Sequence, residues 1–99
     1  MSDSNIEKEI LAKGLTAPRV TLERVEEVIV GETCYVFPNT TVTIVLLTLA
    51  NGFSVTGENA CASPENFDEG LGRKIARDNA KNKIWALEGY ALRNTLFAQ

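Results

Sequence analysis

The sequence predicts an α+β domain: a three-stranded (or slightly larger) antiparallel sheet, with short N-terminal helices and a long C-terminal helical segment packed on one face. Three observations point there. Asn51-Gly52 lies between two β-rich runs, the strongest short signal for a hairpin. Ser63-Pro64-Glu65 opens a final segment in which Phe67, Leu71, Ile75, Ile84, Leu87 and Ala91 supply an apolar stripe. Two shorter helical patterns precede the first β-rich run.

Taken in order, Ser4-Asn5-Ile6-Glu7 has capping-box spacing, with Ser4 as N-cap and Glu7 reaching back to it. Ile6, Ile10 and Leu11 follow at helical spacing, and Gly14 stops the run. Ala17-Pro18-Arg19 reads as a loop, because the residue before proline is pushed out of the helical region. Thr21 can cap a second short helix bearing Leu22, Val25, Val28 and Ile29, which Gly31 would end. Thr33 to Phe37 is β-branched and aromatic and reads as a short strand, terminated by Pro38-Asn39.

Val42 to Ala50 reads as a longer strand. Both of its alternate sets, Val42, Ile44, Leu46 and Val45, Leu47, Leu49, are apolar, so both faces should be covered. A type I′ turn at Asn51-Gly52 would set Ala50 opposite Phe53 and Thr48 opposite Val55, with Phe53 to Ala60 as the return strand. Gly57 within it marks a bulge or a point of close approach. Ser63 at N-cap, Pro64 at N1 and the acids Glu65, Asp68 and Glu69 suit the start of the last helix. Gly89 would divide that helix or let another pack closely. Residues 1–16 form an arm or short helix, and residues 17–99 a single domain.

Composition narrows the chemistry. A chain of 99 residues holds one core with little stability to spare, and self-association is a common way for so small a domain to gain buried area. There is no histidine, which removes the commonest general base, the Ser/His and Cys/His nucleophile pairs and any His-ligated metal. Cys34 and Cys61 are too few for a Cys-only zinc site, and no apolar export segment precedes them, so free thiols in the cytoplasm are expected. The longest apolar run is too short to span a bilayer. No cofactor motif is present: Gly70-Leu71-Gly72 lacks phosphate-loop spacing and falls within a helix. An enzyme is therefore not expected.

The net charge of −3 hides an asymmetry: residues 1–69 carry −7 and residues 70–99 carry +4. Arg73, Arg77 and Lys81 fall at i, i+4 and i+8, on one stripe of the last helix. Guanidinium forks suit phosphate and stack on bases, and Phe67 and Phe53 could supply an aromatic platform near the helix start. With Asn66 beside Phe67, these six are the candidate ligand-binding residues. A solvated helix face, or attraction between the acidic and basic parts of the chain, explains the same stripe without a ligand. Nucleic acid fits less well, given the negative total and the lack of a helix-turn-helix or RNA-binding aromatic motif.

Two resemblances bear on function. "NGFSVTGENACASPENFDEGLGRKIARDNAKNKIWALEGYALR", residues 51–93, and "APRVTLERVEEVIVGE", residues 17–32, resemble a small family of tailed-phage and prophage proteins named after numbered gene products. More loosely, the size, the order of elements and the "PENFDEGLG…KIWALEGY" ending are similar to phage Thoeris anti-defence proteins of the sponge type. That second resemblance implies a non-catalytic homo-oligomer in the host bacterial cytoplasm. It would sequester a cyclic nucleotide immune signal, a cyclic ADP-ribose isomer or a cyclic oligonucleotide, at a subunit interface. The alternative is a phage accessory module that inhibits a host or phage enzyme through its helical face.

Overall fold

The computed structural model describes residues 3–99. The chain runs α1 (Asp3–Ala12), α2 (Leu22–Glu27), β1 (Ile29–Val36), β2 (Val42–Leu49), β3 (Ser54–Ala60), a 3-10 turn (Pro64–Asn66) and α3 (Glu69–Ala98). The strands form one antiparallel meander in the order β1-β2-β3, with α3 laid across one face. This is the predicted α+β class. The thinnest dimension is 18 Å, as expected for two layers, and the longest is 52 Å. A 30-residue helix spans about 45 Å, whereas an eight-residue strand reaches only about 26 Å. The end of α3 therefore projects beyond the sheet.

The core lies between the layers. Val45, Leu47, Leu49 and Val55 face α3, which presents Ala76, Ala80 and Ile84, while Val25 and Val28 close the end nearest α2. Each fully buried large side chain, such as Leu47 or Ile84, is worth about 1.5–3 kcal/mol relative to leaving it in water. The helix face that meets the sheet is made of small residues, since Gly72, Ala76 and Ala80 precede Ile84 on the buried row. The large side chains expected on that face, Leu71, Ile75 and Leu87, are exposed instead. Close packing against Gly57 and Thr43 selects for small size, which a hydrophobicity pattern does not register.

Several local expectations change. Ser4 lies inside α1, not at its N-cap, and Glu7 turns away from it: its carboxylate accepts the Leu22 amide at 2.6 Å and the Arg19 guanidinium at 2.9 Å, tying α1 to the start of α2. Thr21 caps α2 as expected, accepting the Arg24 amide at 3.1 Å. Gly31 does not end that helix. Val28 is still helical as the C-cap of α2, and the β-branched pair Ile29-Val30 then turns extended, so β1 begins at Ile29 and Gly31 falls at an irregularity in its pairing with β2.

The hairpin register is also one residue off. Thr48 pairs with Ser54 and Leu47 with Val55, leaving a three-residue loop, Ala50-Asn51-Gly52. The Gly52 amide donates to the Leu49 carbonyl at 2.9 Å, and only Gly52 takes a positive φ, 90°. That is a turn followed by a left-handed residue rather than a type I′ pair. The Asn51 side chain accepts the Phe53 amide at 3.0 Å, so asparagine serves this longer loop equally well. Ser63-Pro64 starts the 3-10 turn, and Asp68 caps α3 by accepting the Leu71 amide at 2.9 Å. Helix α3 runs unbroken through Gly89.

The largest departure concerns β2. Its inward set is buried by α3, but Val42, Ile44 and Leu46 on the other side are only half-buried, and among the described residues no helix packs broadly over them.

Candidate functional site

Arg73, Arg77 and Lys81 share one side of α3, as the spacing requires, and that side faces the acidic part of the chain. Glu32 occupies a position of β1 paired with Leu47, on the helix-facing side of the sheet. Its Oε2 accepts Arg73 Nε at 3.0 Å and Nη2 at 2.8 Å, and its Oε1 accepts Arg77 Nε at 2.8 Å. Glu26, on α2, takes both terminal nitrogens of Arg77 at 3.3 Å. Lys81 lies 3.7 Å from both Glu26 and Asp3, and Asp3 also accepts the Trp85 indole N–H at 3.1 Å.

The result is a six-membered alternating cluster. Three cations on one helix meet three carboxylates from α1, α2 and β1. The hydrogen bond from Arg73 is the main cause holding Glu32 below the usual carboxylate range, and that from Arg77 does the same for Glu26. The formal charge of the six groups sums to zero. One chain therefore offers a phosphate dianion little net attraction here, although Arg73 stays half-exposed and pairs through one edge of its guanidinium.

The other three candidates lie elsewhere. Phe67 sits in the extended link between the 3-10 turn and α3 and is half-buried. It lines a shallow cleft of about 460 Å³ with Asn39, Thr40, Thr41, Val42 and Pro64. Asn66 ends the 3-10 turn and is exposed. Phe53 follows the hairpin loop at the opposite end of β3 and is also exposed. The seven residues of β3 separate the two phenylalanines by about 23 Å. A single copy thus gathers Arg73, Arg77 and Lys81, places Phe67 and Asn66 past one end of the sheet and puts Phe53 past the other.

Of the remaining polar candidates, Asn79 donates to the Glu58 carbonyl at 2.9 Å and covers part of the outer edge of β3. Asn82 and the half-buried Trp85 border a hollow of about 350 Å³ beneath α1, with Ile6, Ile10 and Val20. Tyr35 stacks edge-on against Phe37, with ring centroids 4.9 Å apart. Among the described residues, no three His, Cys, Asp or Glu side chains are grouped to hold a metal. Glu26, Glu32 and Asp3 did not stand out in the sequence; only the −7 to +4 asymmetry hinted that the basic stripe would be met from within the chain.

The model of the phage protein (N4 Gp49/phage Sf6 gene 66) family matches residues 20–96. The chain belongs to this family. The matched Gp49/gene 66 region runs from Val20 through α2, the whole sheet and nearly all of α3, and α1 lies before it. No curated protein and no solved structure matches the chain. Among the described residues of this Gp49/gene 66 protein, no helix is long and apolar enough to cross a membrane.

Proposed function

We infer that this phage protein is a non-catalytic binding protein. It works as a homo-oligomer in the host bacterial cytoplasm and sequesters a cyclic nucleotide immune signal, so inhibiting bacterial anti-phage defence. The observation that carries this reading is the separation of the candidate residues within one copy. Phe53 and Phe67 lie at opposite ends of β3, and the arginines between them are already paired. A two-fold axis that sets two chains head to tail would bring the Phe53 end of one copy to the Phe67 end of the other. A base could then stack between the rings, and the cyclised pyrophosphate could take the edge of Arg73 that Glu32 leaves free.

The ligand class rests on the loose resemblance to the sponge proteins, and the cleft beside Phe67 supports it. Calorimetric titration and thermal shift against cyclic ADP-ribose isomers and cyclic di- and trinucleotides test it. Micromolar or tighter binding, intact ligand released after heat denaturation, and loss of binding in Phe67→Ala are expected. If none of these compounds raises the melting temperature at 1 mM, the reading fails, because even a Kd of 10 µM then gives about 2.7 kcal/mol of stabilisation.

One observation favours a second reading, a module that inhibits a host or phage enzyme by contact. Glu88 and Asn51 line one hollow, so α3 is level with the hairpin there and its last ten residues extend about 15 Å further. They carry Tyr90 at 72% and Phe97 at 80% exposure. Stoichiometric capture of one phage or host enzyme, lost in Tyr90→Ser/Phe97→Ser, would establish it.

A further inference from the structure

The outer face of the sheet, away from α3, has a composition that the fold alone does not explain. Register places Thr33, Leu46 and Thr56 in one row across the three strands and Tyr35, Ile44 and Glu58 in the next. Val42 and Ala60 pair beyond them, and Phe37 continues from the end of β1 to meet Tyr35 edge-on. Tyr35 is 53% and Phe37 41% exposed, the central Ile44 and Leu46 are half-buried, and Val42 at the end of the row is half-buried beside the cleft that Pro64 and Phe67 line. Glu58 is the one charged residue at these positions. A sheet face meant for water alternates with polar and charged residues instead.

We propose that this face packs against the same face of a second copy, about a two-fold axis that runs along β2. Three arguments favour a second copy over another occupant. The first is charge. The face has no basic residue and a single acid, so neither an acidic nor a strongly basic partner is complemented by it, whereas a copy of itself brings the same largely apolar surface. The second is pairing. With the axis along β2, β1 of each copy lies over β3 of the other, and the shared row sets Tyr35 across from Glu58 of the second copy. The phenol O–H then donates to the carboxylate, which satisfies the only charge the interface would bury. This happens twice, once on each side of the axis.

The third argument is area. Three strands about 4.8 Å apart and eight residues long make a face of about 14 by 26 Å in plan. With side-chain relief and Phe37 included, two such faces bury on the order of 1,000 Å² in total, the lower bound for a specific interface. The inference deepens the reading of the protein as a homo-oligomer: an axis along β2 keeps like ends of the two copies together, so this dimer is a second contact, distinct from the head-to-tail one that would join Phe53 to Phe67. Its test involves no nucleotide, so a chain that dimerises but takes up no ligand refutes the ligand reading alone.

Sedimentation equilibrium of the full chain over a range of concentrations, beside the variants Ile44→Lys and Leu46→Lys, decides the matter. The wild type should dimerise, and each lysine should raise the dimer dissociation constant roughly a hundredfold or more, because the axis along β2 sets its ammonium against the same group of the second copy in an apolar surrounding. Circular dichroism of each variant shows that it remains folded. For register, chains carrying Tyr35→Cys are mixed with chains carrying Glu58→Cys, all in a Cys34→Ala/Cys61→Ala background, and treated with a short bis-maleimide. Covalent dimers should form in the mixture well above the level in either variant alone. A monomeric wild type, a dimer indifferent to both lysines, or cross-linking as strong in one variant alone would each overturn the proposal.

Discussion

Replacing Gly57 by alanine probes the joint between the sheet and α3. A Cβ at position 57 would lie 2.8 Å from the Asn79 carbonyl carbon and closer still to the Ala76 carbonyl oxygen and the Ala80 amide nitrogen. All three are backbone atoms of one helix, so no rotamer change can make room. The helix must lift by more than an ångström, and the contacts of Ala76, Ala80 and Ile84 with Val45, Leu47 and Val55 loosen together. Overpacking ordinarily costs about 1–3 kcal/mol when side chains can yield. Here they cannot, which puts the cost at about 3 kcal/mol or more. For a domain of this size each kcal/mol lowers the melting temperature by roughly 4–8 °C, so Gly57→Ala should melt at least about 12 °C below the wild type. Thermal and urea unfolding followed by circular dichroism measure this. Because the obstruction is backbone, Ala76→Gly or Ala80→Gly should not rescue it. A Gly57→Ala variant melting within 4 °C of the wild type, or full rescue by either helix glycine, would refute the geometry.

Three more perturbations separate the other contributions. The Thr43 hydroxyl is fully buried with no hydrogen-bond partner among the described residues; Thr43→Val keeps the shape and removes the unmet group, so urea unfolding should show about 1 kcal/mol of added stability. Gly89 lies in helix with open space where a Cβ would go, and Gly89→Ala should therefore stabilise by about 0.5–1 kcal/mol in the same measurement. Glu7, Glu26 and Glu32 are all held below the ordinary carboxylate range by hydrogen bonds from Leu22 and Arg19, from Arg77, and from Arg73 and Arg77. A depressed acid contributes stability that is present above its unfolded pKa and lost as pH falls through the folded value. The melting temperature should thus be nearly flat from neutral pH to about 5 and drop below the carboxylate range, while Glu32→Gln loses about 1 kcal/mol at pH 7 and drops less steeply in acid.

Much of the fold was legible because its signals are local. Thr21 as cap, the β-branched runs of β1 and β2, Asn51-Gly52 as a reversal and Asp68 near the start of α3 each act within a few residues of themselves. What the pattern missed depends on partners far along the chain. Glu7 has capping-box spacing from Ser4, yet the Leu22 amide offers its carboxylate a bond that ties two helices together. Asn51-Gly52 fits both a two-residue and a three-residue loop, and the register went to the one that sets Leu47 and Val55 together under α3. The buried row of α3 is invisible to a hydrophobicity pattern, because Ala76 and Ala80 are chosen for size against Gly57 and Gly72 for size against Thr43.

The candidate site was legible only as a set of residue types. The i, i+4, i+8 spacing of Arg73, Arg77 and Lys81 fixes a stripe but not what faces it, and the reply comes from Asp3, Glu26 and Glu32, at least 41 positions upstream of their partners. Spacing cannot separate a phosphate cradle from an internal ion-pair cluster, since both need guanidinium groups on one side of a helix. What separates them is where the countercharge lies. Here it sits within the chain, so the arginines first fasten α3 to β1 and α2. An anion must either displace Glu32 from Arg73, leaving that carboxylate to be resolvated or re-paired, or bind the remaining guanidinium edge against the charge of that carboxylate. Either cost argues that an anionic ligand would owe its affinity chiefly to stacking and to donors brought by a second copy. It also explains why the uncovered sheet face, rather than the basic stripe, is the feature most in need of a partner.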